Sequence, residues 1–74
     1  MIEMKTVFKY IRFEQVVTTL WLCKNKKSGK VLAGIERHHK WNQICFYPNA
    51  DTVFSSDCLR DIADFIDSLP PEGE

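Results

Sequence analysis

The side chains of this 74-residue chain that could do chemistry are few: adjacent His38 and His39, three cysteines at positions 23, 45 and 58, and an aspartate series at 57, 61, 64 and 67. A metal ion needs ligands that converge on one point. Neighbouring residues of an extended segment project to opposite faces, so His38 and His39 do not form half of a zinc site between them. The cysteines are odd in number and widely spaced, with no C-x-x-C pair, which argues against a disulfide framework and a zinc knuckle. Each lies among apolar residues, the usual setting of a reduced packing cysteine. The aspartates recur at helical spacing between apolar residues and belong to the wetted side of one helix, where acid/base work has no cleft. No nucleophile motif and no phosphate loop occurs. The chain is expected to be no enzyme, with no catalytic, cofactor-binding or metal-ligating residues and no cofactor.

A second constellation combines cations with aromatic rings. Residues 1–50 carry nine Lys and Arg against three Glu, a net +6, and residues 51–74 carry one Arg against seven acids, a net −6. The neutral total therefore conceals an electrical dipole. The cations Lys9, Arg12, Lys24, Lys26, Lys27, Lys30, Arg37 and Lys40 are interleaved with Phe8, Tyr10, Trp21, Trp41 and Tyr47. Cations neutralise phosphate and rings contact bases, so a surface of this kind can lie on nucleic acid. The absence of a high isoelectric point weighs against that use.

The elements that must position these groups are legible from periodicity. In residues 54–69 the apolar Cys58, Leu59, Ile62, Ala63, Phe65, Ile66 and Leu69 recur at steps of three and four and make one helical stripe. Ser55 is placed to cap its start, Phe54 to staple onto Leu59, and Pro70 and Pro71 to end it. Residues 6–15 are rich in β-branched and aromatic types and predict a first strand, with Val7, Ile11 and Phe13, on one side together with Lys9, toward the core and Phe8, Tyr10, Arg12 and Glu14 on a wetter face. Residues 18–24 predict a second strand, apolar on both faces: Trp21 and Cys23 on one, Leu20 and Leu22 on the other. Residues 25–30 are a hairpin loop with Gly29 free to take a positive φ, and residues 31–37 a third strand in which Gly34 signals a bulge or a close approach. A cationic turn, residues 37–42, leads to a fourth strand, residues 43–47, stopped by Pro48.

Hairpin-length links make the sheet antiparallel, and one helix returning across it gives an α+β fold of order ββββα, a four-stranded sheet with a C-terminal amphipathic helix on one face. Residues 1–74 form a single domain whose ends, 1–5 and 70–74, are expected to be flexible, with Met1 or Met4 as the start. So small a domain buries only about 60% of its unfolded surface and gains from a partner subunit. No apolar run reaches the length of a membrane span and no signal-peptide core is present, so the expected setting is the cytoplasm, with no membrane partner.

Three segments, Leu32-Ala33-Gly34-Ile35, Trp41-Asn42-Gln43-Ile44-Cys45-Phe46-Tyr47-Pro48 and the helix beginning Phe54-Ser55-Ser56-Asp57-Cys58-Leu59, together resemble a family of small proteins of unknown function found in bacterial, phage and mobile-element genomes. Members generally read Leu-Gly-x-Ile, Trp-Arg-Gln-Tyr-x-Phe-x-Pro and Phe-Ser-x-x-Cys-Leu-x-x-Ile-x-x-Phe. Ala33, Asn42 and Ile44 depart from that pattern, standing where the family tends to have Gly, Arg and Tyr. The resemblance covers most of the chain. It implies the same small fold and brings no activity, cofactor or functional residue.

The function expected from the sequence is that of a non-enzymatic interaction or accessory protein, a homo-oligomer or a binder of another protein, working through the sheet face that the helix leaves open; binding of nucleic acid by the basic, aromatic sheet and loops is the alternative. The candidate surface is Phe8, Tyr10, Arg12, Leu20, Leu22, Lys26, Lys27, Arg37, His38, His39, Trp41 and Tyr47.

Overall fold

The computed structural model describes residues 5–69; residues 1–4 and 70–74, with the expected flexible ends and the terminating Pro70 and Pro71, lie outside the described residues. The order is β1 (Ile11–Val17), β2 (Leu20–Asn25), β3 (Val31–His38), β4 (Gln43–Pro48) and α1 (Ser56–Ser68). The strands form one antiparallel sheet in sequence order, and the fold is the expected ββββα. Each link is short enough to act as a hairpin. The β2–β3 loop is stiffened by Asn25, whose Oδ1 accepts from the Lys27 and Ser28 N–H groups at 2.9 Å each, and Gly29 takes φ 78°.

The first strand begins later than its composition predicts. Residues 6–10 turn back on β1: Val7 bridges Arg12, the Phe8 N–H donates to the Ile11 carbonyl at 2.9 Å and the Phe13 N–H to that of Thr6 at 2.8 Å. The reversal exchanges the roles of two neighbours. Phe8, expected on the open surface, is 8% exposed and meets Phe13 edge-on at 5.6 Å, whereas Val7, expected in the core, is 50% exposed. Phe8 therefore leaves the candidate surface. The physical cause is the payload of a phenyl ring, which gains more from burial than a valine in the same short arm.

On the helix side the sheet presents Ile11 and Phe13, Trp21 and Cys23, Ala33 and Ile35, and Ile44 and Phe46. Phe13, Cys23, Ala33 and Pro48 are paired neighbours across the four strands. The small middle members of this row leave depth for Phe65, which stacks on Phe13 at 3.9 Å and 3° and meets Trp21 edge-on at 5.0 Å. Cys23 is fully buried, and burial pushes its thiol up to about 11, so it packs as a thiol and supplies no nucleophile.

The α1 stripe is narrower than its apolar residues suggest. Ile62 and Phe65 are buried, and Cys58, Ile66 and Leu69 pack beside them, but Leu59 is 49% exposed. Phe54, expected to staple onto the helix, meets Phe46 edge-on at 5.1 Å. A helix lying on a flat sheet buries only the residues directly over it, and Leu59 lies at the margin. Ser55 caps the helix as expected, its Oγ accepting from the Cys58 N–H at 3.2 Å. Ser55→Ala is expected to lower stability by about 1 kcal/mol, with Ser55→Asp retaining most of it, as read from the midpoint of a urea titration.

Gly34 marks neither a bulge nor a close backbone approach. It stays in register between Leu22 and Tyr47 on the face away from α1, and a Cβ built there would meet only Leu20 Cδ1, at an ordinary 3.8 Å. The irregularity in β3 lies one turn of pleat earlier, opposite Cys23 and Lys24.

Candidate interaction surface

The alternation that sends Phe13, Cys23 and Ile35 to the helix sends their neighbours to the opposite face, which no second layer covers among the described residues. One row across it reads Glu14, Leu22, Gly34 and Tyr47; the next contains Val17, Leu20, Glu36 and Cys45. Arg12 and Lys24 lie side by side at one end, and His38 and Gln43 at the other. Glu14 is spanned by Lys24, at 3.1 Å from both carboxylate oxygens, and by Arg12 at 3.3 Å. Lys24, and then Arg12, hold its carboxyl below the usual carboxylate range. This exposed pair is screened by water and serves to fix side-chain positions more than to add stability.

The residues singled out by sequence divide into three places. Arg12, Leu20, Leu22 and Tyr47 are on the open face as expected. At the β3–β4 end, the His38 ring stacks on Trp41 at 4.6 Å and is near-parallel to Tyr47 at 6.5 Å. The backbone N–H of Trp41 donates to His38 Nδ1 at 3.4 Å. Asn42 adopts φ 54°, a left-handed turn conformation that asparagine tolerates, and its Oδ1 accepts from the Arg37 guanidinium. A cleft of about 340 Å³ opens there between Glu36, Arg37, His38, His39, Lys40 and Tyr47. Partial burial raises the Tyr47 phenol above its ordinary value. Trp41 is 66% exposed at the tip of the turn. Among the described residues no three His, Cys, Asp or Glu side chains gather where a metal could be held.

The third place is one that sequence reasoning misses. Tyr10 is not on the sheet face. It ends the N-terminal arm, its carbonyl accepting from the Lys26 N–H at 3.0 Å, and that bond docks the arm on the β2–β3 loop. Between arm and loop lies a cleft of about 480 Å³ lined by Lys9, Tyr10, Asn25, Lys26 and Lys27. The Lys9 ammonium stands 5.1 Å from the Tyr10 ring centre, and Lys5 stands 4.6 Å from that of Phe8. A hydrogen-bonding interaction with Tyr10 keeps Lys9 above its ordinary pKa. The signal available in the sequence was Lys9 itself, a charged residue on the face assigned to the core.

Comparison with protein-family models, with curated proteins and with solved structures returns no match to this chain. No helix among the described residues is long and apolar enough to cross a membrane.

Proposed function

We propose that this chain is a non-enzymatic interaction module of the cytoplasm that pairs with a second copy of itself through the open face of its sheet. The observation that carries this reading is the uncovered apolar centre of that face, where Leu20, Leu22, Cys45 and Tyr47 surround Gly34. Glycine in a strand interior weakens the strand, and nothing among the described residues requires it at this position. A flat floor between Leu22 and Tyr47 is what a facing side chain needs.

The face is also self-complementary in charge. Arg12 and Lys24 occupy one end and Glu36 lies toward the other, so a two-fold axis through the Leu22–Gly34 pair brings each cationic end toward the partner's Glu36. A dimer of this kind enlarges the core of a domain too small to bury much by itself. The motif resemblance to small phage and mobile-element proteins supports an accessory role, and the three free cysteines suit a reducing compartment.

Size-exclusion chromatography with light scattering is expected to give twice the 8.7 kDa chain mass. Leu22→Glu places a charge at the centre of the contact and is expected to give a folded monomer with an unchanged far-UV spectrum. A wild-type chain that stays monomeric up to about 1 mM, the weakest self-association worth about 4 kcal/mol, overturns the reading.

A further inference from the structure

We infer that the cleft between the N-terminal arm and the β2–β3 loop binds the phosphate backbone of single-stranded nucleic acid, with the Tyr10 ring stacking on a base. This goes beyond the self-association proposed above and uses a different part of the molecule.

Three lysines, Lys9, Lys26 and Lys27, line this cleft, and among the described residues no carboxylate does. Lys30 on the same loop and Lys5 on the same arm extend the positive surface, and the Arg12 guanidinium reaches over the loop to within 3.9 Å of a Cβ built on Gly29. Among the described residues the nearby acids, Glu14 and Asp57, are already engaged. Glu14 is spanned by Lys24 and Arg12, and Asp57, which acts on Lys9 through space, accepts from Arg60 at 2.8 Å. An unbalanced cluster of ammonium groups around a concavity calls for an anion.

The setting is also organised in advance. Asn25 closes the loop through two N–H groups, the Gly29 N–H returns to the Asn25 carbonyl at 2.8 Å, and the Lys26 N–H holds the arm. Lysines on a stiffened loop meet a phosphate with less ordering cost than lysines on a mobile one.

Two observations favour a single strand over a duplex. Tyr10 is 50% exposed beside the lysines, and an accessible ring is useful to an unpaired base but not to one stacked inside a helix. The chain is neutral overall and carries four of its ten acids, Asp57, Asp61, Asp64 and Asp67, on α1, which repels a long rigid polyanion but not a short flexible one confined to the cationic end.

The test is fluorescence anisotropy of a labelled oligothymidylate of about 15 nucleotides, titrated with the intact chain across a salt series beginning near 50 mM. Binding is expected to weaken with salt, and Lys26→Gln with Lys27→Gln should reduce the magnitude of the log-log slope by about 1.4, the release expected for two single-strand phosphate contacts. Tyr10→Ala should weaken binding at least fivefold, by about 1 kcal/mol or more of lost stacking, with Tyr10→Phe close to wild type. Trp41→Ala should bind as wild type does, because Trp41 lies in the β3–β4 turn, at the far end of β3. Thermal melts of each variant exclude unfolding as the cause.

Absence of binding at the lowest salt overturns the proposal, as does binding that the double lysine variant leaves unchanged. A duplex of equal length bound as tightly, with no effect of Tyr10→Ala, overturns the single-strand assignment. Capture by phosphatidylserine vesicles without any binding of DNA identifies the cleft as a lipid site and overturns it equally. A loss in Trp41→Ala matching that in Tyr10→Ala places binding at the hairpin tip and overturns the location.

Discussion

Phe65→Ala is expected to cost about 3 to 5 kcal/mol, the range found when a fully buried phenylalanine is truncated. Phe65 is 1% exposed, lies face to face with Phe13 and edge-on to Trp21, and is the side chain through which α1 reaches the centre of the sheet. A domain of this size has only a few kcal/mol of stability, so the variant should be largely unfolded at room temperature. Urea titration followed by circular dichroism measures the cost, and one below about 1 kcal/mol would show that the ring is not buried against the sheet. Phe65→Leu, which keeps most of the apolar volume, should retain a cooperative transition. In that milder background a double-mutant cycle with Phe13→Leu isolates the ring-ring contribution, expected at about 0.5 to 1.5 kcal/mol.

Phe8→Ala is expected to cost about 3 kcal/mol, whereas Val7→Ser should change stability by less than about 0.5 kcal/mol. The contrast tests the reversal of the N-terminal arm. Were residues 6–15 one continuous strand, Val7 would share a face with Ile11 and Phe13 and the order of the two effects would invert. In the folded chain Phe8 packs against Phe13 while Val7 is half exposed. With a melting shift of roughly 4 to 8 °C per kcal/mol for a domain of this length, the two variants separate clearly in a thermal melt.

This arm shows why part of the fold escapes sequence reading. Residues 8–11 make a reversal with neither glycine nor proline; it is held by the burial of Phe8 and by the Lys26 N–H on the Tyr10 carbonyl, both dependent on residues distant in sequence. Alternation could not reveal it, because Phe8, Tyr10 and Phe13 place aromatic rings on both predicted faces. Where the local signal was unambiguous it was followed: Cys58, Ile62, Phe65 and Leu69 at steps of three and four gave the helix, Ser55 its cap, and Gly29 the loop of positive φ. The open-face residues Leu20, Leu22 and Tyr47 were legible for the same reason, since each alternates with a residue of the core. The two clefts were not. Each joins side chains from segments that meet only once a turn has formed, Tyr10 with Lys27 across the arm and Tyr47 with His38 across a strand pair.

The strands pair strictly in chain order, β1 with β2, β2 with β3 and β3 with β4, so every backbone ladder is made between neighbours in sequence. The helix has no place in those ladders; its union with the sheet rests on side chains such as Ile62 and Phe65. Folding can consequently proceed as successive short loop closures with little entropic delay, and the meander does not have to wait for the last segment. The same arrangement lets α1 lift away as one unit while the ladders persist, briefly baring the side of the sheet lined by Trp21, Phe46 and Cys23. The amides of the helix should therefore exchange with solvent sooner than those of β2 and β3, and the moment of greatest risk for aggregation in the life of this chain is the opening of its own helix rather than the unravelling of its strands.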